Sequence, residues 1–129
     1  MHQFMNPGDV HQPLGVYSQS VKVSKGAEWL TIAGQVGIDA DGALHEGIQA
    51  QAEQAFRNVM AILAANGMDK GDLVKLTVFL TDPRHVEAYR VARKNVVGDQ
   101  TVPASTLLVV QSLASPDWLI EVEAMAARA

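Results

Sequence analysis

The sequence holds no cysteine, which excludes a disulfide framework, thiolate zinc sites and cysteine nucleophiles. It has no apolar run near the ~18 residues that a membrane-spanning helix needs, and the opening MHQFMNPGDVHQPLG does not read as a signal peptide. A cytoplasmic protein with no membrane partner is the expectation. Positive charge is scarce: ten Lys plus Arg stand against fourteen Asp plus Glu, a net of −4. Such a chain is a poor electrostatic partner for phosphates, so no nucleic-acid partner is expected. Charged residues make up only 19% against an ordinary ~25%, which suits apolar surface hidden in an oligomer. Phosphate loops of the G-x-x-x-x-G-K-[ST] or G-x-G-x-x-G type are missing. None of Ser18, Ser20, Ser105, Ser112 or Ser115 has the G-x-S-x-G context of a hydrolase nucleophile. The four histidines lack mutual metal-ligand spacing, so no metal is expected.

What is present fits one domain over residues 1–129. A chain of this length can bury roughly two thirds of the surface its unfolded form exposes. Residues 1–14, with Pro7, Gly8 and Pro13, read as an irregular lead-in. Val16–Val23 is extended in character, Ser24–Glu28 is a turn, and Trp29–Ala33 is aromatic and β-branched, so the spacing predicts a hairpin. Over 47–66, Ile48, Ala52, Ala55, Phe56, Val59, Ile62 and Leu63 keep a helical period, and Asn66-Gly67 is a stop. Within 72–80, Val74, Leu76, Val78 and Leu80 share one face of a strand. Asp82-Pro83 opens a second helix to about Val97. Pro103–Val110 and Trp118–Met125 read as the last strands. The order ββαβαββ predicts an α+β fold: a mixed sheet with both helices packed on one face. The other face would carry Thr77, Phe79, Leu119, Glu121 and Glu123, a half-polar surface suited to self-association.

Two features carry chemistry. Glu121 and Glu123 are two apart on a strand, so they project from one face about 7 Å apart. If that face lines a cleft, one of them can move a proton; otherwise they are ordinary solvent-facing acids. Residues 82–97 hold Arg84, Arg90, Arg93 and Lys94 against Asp82 and Glu87, a net of +2, which leaves −6 on the rest. Arg90 or Arg93 could meet an anionic substrate, since a guanidinium fork suits a carboxylate; the plainer reading is a solvated helix face.

Gly15–Gln19, Ala33-Gly34-Gln35, Gln51–Val59, Lys75–Asp82, Pro103-Ala104 and Glu121–Ala124, in that order along the chain, together resemble the Rid (YjgF-like) family of reactive-intermediate deaminases. Gly15-Val16-Tyr17-Ser18-Gln19 is similar to that family's G-P-Y-S-Q opening, and Ala33-Gly34-Gln35 to its S-G-Q. Gln51–Val59 resembles its first helix, and Lys75–Asp82 its K-x-T-V-F-x-x-D strand. Pro103-Ala104 falls at P-A-R, and Glu121-Val122-Glu123-Ala124 at the closing E-x-E-A. The similarity runs through residues 13–128 in order. It implies a chorismate mutase-like protomer, a homotrimer, a small-molecule site between subunits, and hydrolysis of enamines or imines such as 2-aminoacrylate to 2-keto acids and ammonia. No metal and no cofactor is implied. By position, Glu121 matches the acid that orients the attacking water and Tyr17 the tyrosine lining the cleft.

The departures bear on the anchor for a substrate carboxylate. The arginine of P-A-R is Ser105, the serine before Gly-Gln is Ala33, a common cysteine is Leu107, and an asparagine on the second helix is Arg90. Either Arg90 supplies the missing charge to an anionic substrate, or this chain does not act on simple 2-imino acids. A binding or protein-interacting trimer without turnover is the second reading. An RNA-directed role is a third, opposed by the net negative charge and the lack of an aromatic-basic patch.

Overall fold

The computed structural model describes residues 2–129. Strands β1 (Gln3–Met5) and β2 (Ser20–Lys22) are followed by β3 (Glu28–Gln35) and helix α1 (Ile48–Ala65). Then come β4 (Leu73–Leu80), α2 (Val86–Val96), β5 (Ala104–Val109) and β6 (Ile120–Arg128). The main sheet has the order β3-β6-β4-β5. Only β4 and β5 run parallel, the pair joined through α2. Both helices pack together and on one face, so the α+β architecture is as the residue pattern required.

Helix α1 buries Ala52, Ala55, Phe56, Val59 and Leu63, the stripe its spacing marks out. Gly67, at φ 71°, turns the chain, and the Met68 N–H donates to the Leu63 carbonyl at 2.9 Å, the back-bonding of a left-handed stop. The Asp82 carboxylate accepts from the Arg84 N–H and starts a 3-10 turn, Pro83–His85, that runs into α2. Phe56 and Tyr89 stack at 6.1 Å between centroids and fix α2 against α1. Leu76, Val78, Leu80, Ile120, Val122 and Ala124 form the sheet's side of the core. A register shift between Leu73 and Lys75 puts Leu73 in that core cluster in place of Val74.

The uncovered face shows Trp29 and Met125 exposed, with Lys75, Thr77, Phe79, Glu121 and Glu123 beside them. Glu121 pairs with Phe79 and Glu123 with Thr77, so the two acids share the open face as the alternation demands.

Three expectations need correction. The lead-in contains a strand, β1, which pairs antiparallel with β2. The expected hairpin between residues 16–23 and 29–33 does not form: β3 pairs with β6 instead. β3 spans eight residues and must bury Leu30 and Ile32 against α1. β6 offers a matching apolar face through Ala124 and Ala126, whereas β2 has one half-buried residue to give. The last strand begins at Ile120, because the buried Gln51 takes the Leu119 N–H on its side-chain carbonyl at 2.9 Å.

Candidate functional site

A pocket of about 680 Å³ opens where the loop before β2, helix α2 and strand β5 meet. The loop is held by its own bonds. Leu14 N–H donates to the Tyr17 hydroxyl at 3.1 Å, and Tyr17 N–H donates to the Gly15 carbonyl at 3.1 Å. Ser18 N–H donates to the Pro103 carbonyl at 3.2 Å and bridges Ala104 in parallel. Tyr17 is thereby carried to the start of β5.

Arg93 completes the clamp. It is buried, one of its Nη atoms donates to the Val16 carbonyl, and the other donates to the Thr101 carbonyl at 3.3 Å. Its Nε is buried without an acceptor. The guanidinium therefore binds the two segments flanking the pocket to α2. Arg90, three residues earlier, is exposed and makes one long contact, 3.5 Å, to the Leu14 carbonyl. Among the described residues no ion pair engages Arg90 or Arg93. Glu53, a possible acid for Arg90, is held by Arg57, Asn95 and Gln49 instead.

Burial raises the Tyr89 phenol above its ordinary pKa, partly offset by the Arg93 charge and the Ser105 hydroxyl. Burial lowers Arg93 below its ordinary value, yet an arginine stays charged. The pocket thus has a buried cation in its wall and an exposed one, Arg90, at its rim.

The sequence-derived candidates fall into two groups. Tyr17, Arg90, Ser105 and Leu107 line this one pocket. Ala33 and Glu121 do not. Ser105 pairs with Leu76 and Leu107 with Val78, both core residues, so the pocket lies on the helix side of the sheet. Glu121 pairs with Phe79 on the opposite side. There its carboxylate lies over Gly34: a Cβ on that glycine would sit 2.0 Å from Oε2. The β3 bulge between Ile32 and Gln35 holds Ala33 and Gly34, both exposed. Among the described residues no three His, Cys, Asp or Glu side chains cluster to hold a metal ion.

Sequence reasoning missed the clamp role of Arg93, although its place four residues after Tyr89 on one helix face was a signal. It also missed Gly34 as the seat of Glu121, and the apolar rim of Leu14, Val16 and Val91.

Residues 9–128 match the protein family described as Endoribonuclease L-PSP. The chain belongs to the Rid (YjgF-like) family. It is 36% identical over 118 residues to the 2-iminobutanoate/2-iminopropanoate deaminase of Salmonella typhimurium, with 89% of each chain covered. It is 36% identical over 103 residues to a RutC family protein of Aquifex aeolicus, covering 78% of this chain and 80% of that one. The crystal structure of the Rid-family protein YyfB from Yersinia pestis superposes with a TM-score of 0.85 at 29% identity, covering 98% of both chains. Within this Rid chain, Ser105, Leu107 and Arg90 line the pocket, whereas Ala33 lies in the β3 bulge outside it. No helix of the described residues is long and apolar enough to cross a membrane.

Proposed function

We propose that this Rid-family chain hydrolyses a reactive imine or enamine to a carbonyl compound and ammonia, at a site shared by neighbouring subunits of a homotrimer. One observation carries the reading: the pocket with Tyr17 and Arg90 and the acid Glu121 lie on opposite faces of one sheet. A single protomer cannot bring them together, whereas a neighbour presenting its open face can. The exposed Trp29 and Met125 on that face give the neighbour apolar surface to bury. A stable monomer in sedimentation at micromolar concentration would overturn the shared site.

The chemistry balances with water alone. An enamine first takes a proton from solvent at carbon and becomes a protonated imine. Glu121 accepts a proton from water as its oxygen bonds to the C=N carbon. Glu121 passes that proton to nitrogen, and as the C–N bond breaks the new hydroxyl releases its own proton to solvent, leaving the carbonyl and ammonia. Tyr17 lines the reacting end, and Arg90 takes the substrate carboxylate that Ser105 is too short to reach. Ser105, being small, leaves room for a guanidinium arriving from α2. Such a small anionic substrate needs no metal, cofactor or nucleic acid. The expected setting is the cytoplasm.

Freshly generated 2-aminoacrylate is the test substrate. The expected result is ammonia release faster than the spontaneous rate, and lost in Glu121→Gln. The second reading, a trimer that binds without turnover, is favoured by Ser105 at the anchor position. No acceleration, together with tight binding of a 2-keto acid, would select it.

A further inference from the structure

We propose that the substrate of this pocket carries a bulky apolar side chain as well as its carboxylate; this rests on the deaminase reading above. Among the exposed large apolar residues, Leu14 (75%), Val16 (44%) and Val91 (39%) all line this one pocket. They arrive from two separate elements, the loop before β2 and helix α2, so their convergence is not a property of one amphipathic stretch. Leu107 and the rings of Tyr17 and Tyr89 continue the apolar wall inward. Leu107 packs against the core, which holds that wall in place.

Charge on the same pocket is disposed to meet one acidic group. Arg90 has one long contact, to the Leu14 carbonyl, and no acidic partner among the described residues, whereas Arg93 already donates to Val16 and Thr101 and Lys94 lies 3.9 Å from Asp99. Glu87 and Asp99 also line the pocket and disfavour a second carboxylate. A three-carbon 2-imino acid would meet Arg90 and leave the wall of Leu14, Val16, Val91 and Leu107 wet. A branched side chain would cover that wall. Each methylene so buried favours binding about fourfold, so three extra carbons are worth about sixtyfold.

The test compares imines generated in place by oxidation of alanine, leucine and glutamate. The expected result is a kcat/KM for the leucine imine at least tenfold above that of the alanine imine, with the glutamate imine lowest. Val91→Ser and Leu14→Ser, both at exposed positions, should each lower the leucine-to-alanine ratio by about fourfold or more. Equal rates for leucine and alanine imines, a preference for the glutamate imine, or variants that shift trimer stability but leave the ratio intact would overturn the proposal. Equilibrium binding of the stable 2-oxo acids separates this inference from the deaminase reading. If no imine is turned over, that reading fails. Tighter binding of 4-methyl-2-oxopentanoate than of pyruvate then still supports the apolar pocket, and equal binding refutes it.

Discussion

A methyl group added at Gly34 should disable the site while sparing the fold. Its ideal position is 2.0 Å from Glu121 Oε2, 2.7 Å from Cδ and 3.0 Å from Cγ. Ordinary contact begins at 3.4 Å, so the carboxylate oxygen must retreat by roughly 1.4 Å. The backbone at Gly34 is not in the left-handed region, so alanine meets no conformational penalty there. The obstacle is a partly exposed side chain, which can turn aside at an off-rotamer cost of about 0.5–1.5 kcal/mol. For a domain of this size the melting temperature should fall by about 5 °C or less. Turnover should fall far more, because a misplacement of about 1 Å in a catalytic arrangement can cost ~10²-fold. Ammonia release and thermal unfolding of Gly34→Ala measure the two effects side by side. In Gly34→Ala with Glu121→Gln, the loss should hardly exceed that of either change alone, since both act through one group. A Gly34→Ala protein with wild-type kcat, or losses that multiply in the double variant, would refute the placement of Glu121.

Three further outcomes follow from the same geometry. Glu121→Gln should lower turnover by ~10²-fold or more, whereas Glu123→Gln, one pleat further from Gly34, should lower it much less; steady-state kinetics of the pair decides. Arg90→Ala should raise KM for a carboxylate substrate by about 10- to 100-fold, the worth of a charged hydrogen bond, and Ser105→Arg in that background should recover binding. Arg93→Met leaves the Val16 and Thr101 carbonyls without donors. It should cost about 1–3 kcal/mol in denaturant unfolding and raise KM more than it lowers kcat, because the loop carrying Tyr17 is loosened.

Periodicity made the core legible. The helical spacing from Ala52 to Leu63 and the alternation from Ile120 to Ala124 each mark a buried face without knowledge of any partner. Pairing was not legible. Gln3–Met5 is too short to show a period, and the turn before Trp29 suggested a hairpin that β6 outcompetes by ladder length. At the site, Tyr89 on the packed face of α2 placed Arg90 beside it, and the pocket contains both. The separation of Glu121 from Tyr17 depends on the register of β4 against β5 and β6, which no single segment encodes. The spacing of Arg93 from Tyr89 marked it for the packed face, but its clamp role stayed hidden because its partners are carbonyls of distant loops.

Co-refolding Arg90→Ala chains with Glu121→Gln chains measures directly whether one catalytic site draws on two subunits. Each variant alone should be strongly impaired in ammonia release at substrate concentrations below KM. A shared site predicts that random co-assembly restores about a quarter of wild-type activity, since about one site in four then receives both intact residues. Activity of the mixture that stays at the average of the two parent proteins would contradict it.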